Sequence, residues 1–379
     1  DHIKAAGDMG ISMCGITLLY KEGYFKQRVD EEGLQTETYP RFDPYPILKK
    51  LDAKFKLKLR GRDVWIQAYQ FDYLGQNGHL IPIYFLDTDC EENLQEDRMI
   101  TLRLYSGDKD HRILQEAILG FGGMKLLDEL KQFSINTYHM NEGHCSFLVL
   151  DLLERNNGNI DKVRSICHFT THTPVPAGHD HFSYSRVEKL LMGLLPSELK
   201  LPSLVQDKRL HMTELGLFFS RSANGVSKLH GDVAQDQFPW KNNIGYITNG
   251  VHHSYWMGSE FKILFDRYLP EWRSDPGVLN DVAIIPDHEL FEAHLMQKRK
   301  LLGYANAQVS KALDLQTLTI GFARRAATYK RAQLIFHDMD RLMEIGKGKI
   351  QIVFSGKAHP KDNDGKILIK NIVKKSKYF

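Results

Sequence analysis

Arg324-Arg325-Ala326-Ala327-Thr328-Tyr329-Lys330-Arg331 packs four cations into eight residues. Cations at that density suit a strong anion, and phosphate is the first candidate. Residues 317–322 just before them are β-prone and largely apolar. Just after them Ala332, Leu334, Ile335, Met339 and Leu342 recur at roughly helical spacing, which predicts a helix over 330–345. A strand-to-helix turn is where open α/β sheets bind ligands. The N-terminus of such a helix adds free N–H groups and a partial positive charge. A solvated basic surface would show the same run of residues. One unit later, Ser355-Gly356-Lys357-Ala358-His359-Pro360 lies between a second strand, 350–355, and a second helix, 361–373. Two βα turns of one parallel sheet open on the same carboxyl edge. Lys357 is therefore expected to converge with Arg325 and Lys330.

Three further stretches place polar side chains at strand ends. Asn141-Glu142-Gly143-His144 is one, although Asn141 would also serve as a plain helix N-cap. The second runs from Thr170 to His181, where Pro174, Pro176 and Gly178 fix an unusual loop around His172. The third comprises Ile247-Thr248-Asn249-Gly250 and the preceding Asn224–Gly231; Asn-Gly is also a common turn. His139, His144 and His168 raise the question of zinc. No HExxH or other familiar ligand spacing is present, and hydrogen bonding to a sugar suits these histidines as well, so no metal is expected. Sugar-type polar groups on one wall of a cleft and phosphate-type cations on the other suggest glycosyl transfer to or from phosphate. Fixed cations serve that chemistry more than a nucleophile does.

The elements that must position these residues alternate between strand and helix, which favours a mainly parallel α/β sheet. Strands are expected at 16–20, 24–27, 64–69, 81–87, 98–105, 135–140 and 163–169. A helix is expected over 113–130, with Gly120, Gly122 and Gly123 inside it. Those glycines weaken a helix and suggest close packing of its backbone. Residues 257–309 read as helices and loops, ahead of the two βα units. Two domains follow, 1–255 and 256–379, since 379 residues exceed one ordinary core.

Composition is that of a globular protein, 42% apolar and 26% charged. A net charge of +3 is too small to argue for nucleic acid or a membrane as partner, so the basic clusters matter locally. No segment approaches the ~20 apolar residues of a membrane span. Cys14, Cys90, Cys145 and Cys167 are widely spaced and are expected as reduced thiols. Residues 1–9 read as an amphipathic helix already under way, and 374–379 as the approach to a further strand. The expectation is a fragment.

At these residues the chain resembles the α-glucan (glycogen, starch and maltodextrin) phosphorylases, and most nearly their bacterial and archaeal branch. The matching stretches are Gly15 to Gln27 (with LLYKEGYFKQ), Met140 to His144, Thr171 to Asp180, Ala223 to His230, Thr248 to Val251, Arg324 to Leu334 and Gly356 to Pro360. Their order and spacing are more specific than any one motif. The resemblance implies an α/β fold of glycosyltransferase-B type, two Rossmann-like domains around a cleft, both incomplete here. It implies retaining phosphorolysis of α-1,4-glucan by inorganic phosphate to glucose 1-phosphate, in the cytoplasm, in a family that is commonly homodimeric. His172 falls where the family has a histidine whose backbone carbonyl faces the reacting sugar. Asn249 falls at an asparagine that binds a sugar hydroxyl, and His144 at a histidine beside the acceptor. Arg325 and Lys330 match cations that hold substrate and cofactor phosphate, and Tyr329 a tyrosine near the sugar–phosphate pair. Arg324 stands where a lysine is common, which keeps the charge and changes the geometry. The implied cofactor is pyridoxal 5′-phosphate. The glycine-rich segment with its anchoring lysine, the sugar-binding glutamate just before it and the first domain's glycine-rich loop have no counterpart in 1–379. The chain alone is therefore expected to be inactive. A nucleotide-sugar α-glucan synthase of the same fold would use the same cationic turns, but no Lys-Thr-Gly-Gly loop is present. A non-catalytic carbohydrate-binding remnant would keep His172 and Asn249 and lack the lysine.

Overall fold

The computed structural model describes residues 1–378 apart from 105, 133, 176–177, 197–204, 207 and 310–311. In chain order the strands are β1 Gly15–Leu18, β2 Lys26–Val29, β3 Gln35–Thr38, β4 Lys49–Leu59, β5 Arg62–Leu74, β6 Leu80–Asp87, β7 Tyr138–Asn141, β8 Cys167–Thr170, β9 His181–Ser183, β10 Val205–Gln206, β11 Arg209–His211, β12 Ser222–Gly225, β13 Ile244–Tyr246, β14 Leu318–Ala323 and β15 Ile350–Ser355. The chain divides into two compact units. One is Asp1–Tyr24 with Arg41–Val251, the other Phe25–Pro40 with His252–Phe379.

The first unit holds two principal sheets. One has the order β1-β6-β5-β4. Only its β1–β6 pair is parallel; β6–β5 and β5–β4 are antiparallel. A mainly parallel sheet was the expectation for this stretch, and the reason it fails is local. Leu51-Asp52-Ala53-Lys54-Phe55-Lys56-Leu57-Lys58-Leu59 alternates with period two, burying Ala53, Phe55, Leu57 and Leu59 while its lysines face out. Arg60 and Gly61 both take positive φ (54° and 77°), the two-residue turn that closes a tight hairpin. The other sheet, β13-β12-β8-β7, is parallel throughout. A small antiparallel sheet, β10-β11-β9, adjoins it in sequence.

The helix expected over 113–130 runs as Lys109–Ala117, a π turn Ile118–Gly122 and Gly123–Glu129. Its glycines are there for packing. A Cβ on Gly120 would lie 2.7 Å from both the Leu148 nitrogen and the Phe147 Cβ, so the neighbouring helix Leu148–Arg155 meets it backbone to backbone. Leu86 and Ile66 of the mixed sheet close over Gly122. Residues 98–105 are not a strand. Gln95–Arg98 is a helical turn and turns follow, with one bridge from Arg103 to Glu22; Tyr105 lies outside the described residues. The stretch 163–169 is strand only from Cys167, because Ile160–Ile166 is helical behind its Asn159 cap.

In the second unit β14 and β15 pair in parallel, from Leu318↔Ile350 to Ala323↔Ser355. Trp272 anchors a separate apolar cluster with Leu264, Phe265, Leu269 and Ile285. The helix Asn363–Ser376 includes Lys374 to Ser376, where a further strand was expected to be approaching, and Phe379 lies outside the described residues. The hairpin β2–β3 belongs to this unit although its residues come early in the chain.

Candidate functional site

In the first unit, every strand of the parallel sheet delivers a polar segment to its carboxyl edge, the edge where such sheets bind ligands. Backbone bonds extend the ladder past the strand ends. Glu142 N–H donates to the Thr170 carbonyl, Thr171 N–H to Asn224, Ile247 N–H to Gly225 and Asn249 N–H to Val226. His144, His172 and Asn249 therefore share one edge.

Asn141 is not a helix cap. It ends β7, and its Oδ1 lies 2.6 Å from His172 Nε2. The next residue organises the edge. Glu142 has a positive φ of 76°, which costs a residue with a side chain of order 1–3 kcal/mol. Its carboxylate accepts the His172 N–H, the Thr173 N–H at 3.1 Å and the Thr171 hydroxyl at 3.1 Å. A trans peptide holds its C=O opposite its N–H. Fixing the Thr173 N–H on Glu142 therefore turns the His172 carbonyl away from Glu142. Pro176, part of the predicted loop-fixing pattern, lies outside the described residues.

Behind His144 sits a charged cluster. Arg112 bonds Asp180 at 2.9 Å and reaches Glu116 Oε1 at 2.8 Å. Glu116 is almost fully buried, and that burial pushes its carboxyl well above the usual range against the pull of Arg112. Burial, with the Arg112 cation next, lowers the His144 imidazole to about 4. His144 is thus neutral at pH 7, with one ring nitrogen to donate and one to accept. Burial likewise lowers His172, opposed by Glu142. His139 falls to about 4 through burial and the neighbouring His168, and it bonds Thr170 Oγ1 at 2.8 Å. Among the described residues no group of three or more His, Cys, Asp or Glu is placed to hold a metal ion. All four cysteines are free thiols.

In the second unit, Arg324, Arg325, Tyr329 and Lys330 occupy one turn after β14. The expected helix does not begin at 330. Short 3-10 turns cover Thr328–Lys330 and Leu334–Phe336, Arg331 takes φ 55°, and the helix starts at Met339 behind its Asp338 cap. The cations therefore do not sit at the N-terminus of a helix that begins at 330. Among the described residues Arg324, Arg325, Lys330 and Arg331 form no ion pair, and Lys330 Nζ rests over the Tyr329 ring at 4.6 Å. Lys357 opens on the same sheet edge, as the register requires, but its ammonium donates to the Phe25 carbonyl at 2.6 Å.

Sequence reading passed over Glu142, Arg112 and Glu116 as site residues. The adjacency of Glu142 to Asn141 and His144 was visible, but its role depends on a loop thirty residues away. Arg112 and Glu116 have helical i,i+4 spacing, a pattern that usually marks a solvated pair.

The family model described as carbohydrate phosphorylase matches residues 180–378, more than half of the chain. A maltodextrin phosphorylase of Thermococcus litoralis is 37% identical over 98% of this chain and 49% of its own length. A glycogen phosphorylase of Mycobacterium tuberculosis is 32% identical over 99% of this chain and 50% of its own. That of Aquifex aeolicus is 31% identical over 98% and 60%. The chain spans about half the length of the first two of these relatives. With a polar strand edge in one unit, a turn in the other whose cations form no ion pair among the described residues, and these matches along nearly all of its length, the chain belongs to the carbohydrate phosphorylase family.

Proposed function

We propose that this protein acts as an α-1,4-glucan phosphorylase of glycosyltransferase-B fold, with Rossmann-like domains 1–255 and 256–379, apart from the hairpin β2–β3, which belongs to the second unit. A phosphate oxygen bonds to C1 of the terminal glucosyl unit with retention as the glycosidic C1–O bond breaks. The departing 4-hydroxyl takes its proton from phosphate, and glucose 1-phosphate is released. The observation that carries this reading is the turn 324–331, whose exposed arginines have no acid to neutralise them among the described residues. Four uncompensated cations repel one another unless an anion joins them.

In this reading Arg325 and Lys330 hold the substrate phosphate, and Tyr329 lies near the sugar–phosphate pair. His172 offers its carbonyl to the sugar, fixed through the Glu142–Thr173 bond. Asn249, whose side chain is exposed, donates to a sugar hydroxyl. Neutral His144 bonds the acceptor sugar. The cofactor is pyridoxal 5′-phosphate. The residues present fit its phosphate group, since Arg324 and Lys330 are cations without acid partners among the described residues. When bound, that group supplies a proton relay to the substrate phosphate. The proposed compartment is the cytoplasm; among the described residues no helix is long and apolar enough to cross a membrane.

The test uses protein from its native source with maltodextrin, inorganic phosphate and pyridoxal phosphate. Glucose 1-phosphate should accumulate, and Arg325→Ala should raise the phosphate KM sharply. Glucosyl transfer from ADP- or UDP-glucose with no phosphorolysis would replace this reading by a synthase. Glucan binding without either reaction would leave a carbohydrate-binding protein.

A further inference from the structure

Ala358 is fully buried, and a buried backbone N–H and C=O both need partners. One side chain supplies both. Gln35 Oε1 accepts the Ala358 N–H at 3.0 Å, and Gln35 Nε2 donates to the Ala358 carbonyl at 2.9 Å. The amide is saturated on its far side too. Gln27 Nε2 donates to Gln35 Oε1 at 2.8 Å, and Gln35 Nε2 donates to Glu37 at 2.8 Å. Gln35 thus reads Ala358 as a neighbouring strand would, from the hairpin β2–β3.

The same hairpin grips the rest of the turn. Gln27 donates to the Gly356 carbonyl at 3.0 Å, and Lys357 donates back to Phe25 at 2.6 Å. Lys366 bonds Glu37 at 2.7 Å, and Gly33 lies so close to the Asn363–Ser376 helix that a Cβ would fall 2.7 Å from Lys370 Cα.

Residues 355–357 in turn hold the cationic turn. Arg324 N–H donates to the Ser355 carbonyl at 3.1 Å and Ala326 N–H to the Lys357 carbonyl at 2.9 Å. Gly356 leaves no slack, since a Cβ there would lie 2.0 Å from the Arg324 carbonyl. A continuous path therefore runs from the Gln35 side chain through the backbone of Ala358 and Lys357 to the residues flanking Arg325.

We propose that Gln35 is a positioning residue for the anion site, setting through Ala358 and Lys357 where Arg324 and Arg325 present their guanidinium groups to phosphate. The proposal rests on the phosphate reading of the turn 324–331. It gives the early hairpin a part in that site, although it supplies no ligand itself.

The experiment is phosphate titration and amide hydrogen exchange on the 379-residue chain, wild type against Gln35→Met. Methionine keeps the length and packing and removes both bonds to Ala358. Exchange should rise at Ala358 and also at Ala326, and phosphate affinity should fall about fivefold or more, the scale of one buried hydrogen bond. Leu264→Ala, which loosens the separate apolar cluster around Trp272 in the second unit, should destabilise the fold and leave phosphate affinity unchanged. Should Gln35→Met not fold, Gln35→Asn keeps an amide but draws it back from Ala358, and is read the same way. Faster exchange confined to Ala358, with Ala326 and phosphate affinity as in wild type, overturns the proposal. A wild-type chain that binds no phosphate overturns the phosphate reading instead, and exchange at Ala326 still decides whether Gln35 governs the turn.

Discussion

The carboxylate of Glu142, a residue whose own φ is 76°, accepts the Thr173 N–H at 3.1 Å. A strained residue at a strand end thus orients a peptide group thirty residues further along. Glu142→Ala removes one acceptor from three donors. Stability should fall by about 2 kcal/mol, and amide exchange at Thr173 should accelerate. Urea unfolding with residue-resolved exchange checks both; unchanged protection at Thr173 would show that the loop holds itself.

Gly356→Ala should be poorly tolerated. Its Cβ would meet the Arg324 carbonyl at 2.0 Å, a backbone atom that cannot swing aside. A cost of about 1–3 kcal/mol is expected for the second unit, with weaker phosphate binding because the turn must move. Retained stability and phosphate affinity would mean the two turns are not locked together.

Gly120→Ala probes the first unit in the same way. The added methyl would press on Leu148 and Phe147 across the helix contact. The expected loss is about 1–3 kcal/mol, although alanine is the better helix former. A more stable Gly120→Ala protein in thermal melts would show that the helices have room to part.

Acid should destabilise the first unit. His139 and His144 are both lowered from 6.5 to about 4, so the unfolded chain binds protons there that the folded chain refuses. The stability they confer is present above pH 6.5 and is lost as pH falls from 6.5 through 4. Urea midpoints across that window should fall less steeply in His139→Gln than in wild type. Parallel curves would remove His139 from the account.

Glu116 carries the opposite sign. Its carboxyl is raised by burial, so the folded state favours the protonated form and wild type loses stability as pH rises through the folded value. Glutamine does not titrate. Glu116→Gln should therefore gain on wild type as pH rises, in midpoints compared at pH 5 and pH 8. A difference that does not vary with pH would show that Arg112 fully offsets the buried charge.

The chain's order of residues determined a good deal by itself. The strand-and-turn units at 318–323 and 350–355, the cationic run after the first, the glycine-marked helix packing near 120 and the polar ends after β7 and β8 all follow from short-range periodicity and composition. These are local properties, read within a few turns of backbone. Tertiary structure decided what each polar residue bonds. Asn141 became a partner of His172 and not a helix cap, Lys357 was drawn to Phe25, and the helix after the cations was delayed to Met339. Glu142 and Gln35 acquired their roles from residues 31 and 323 positions away. A hydrogen bond needs a partner within about 3 Å, and only folding brings distant segments that close. The cationic turn's chemistry is thus written in its residues, while its geometry depends on a glutamine nearly three hundred residues earlier.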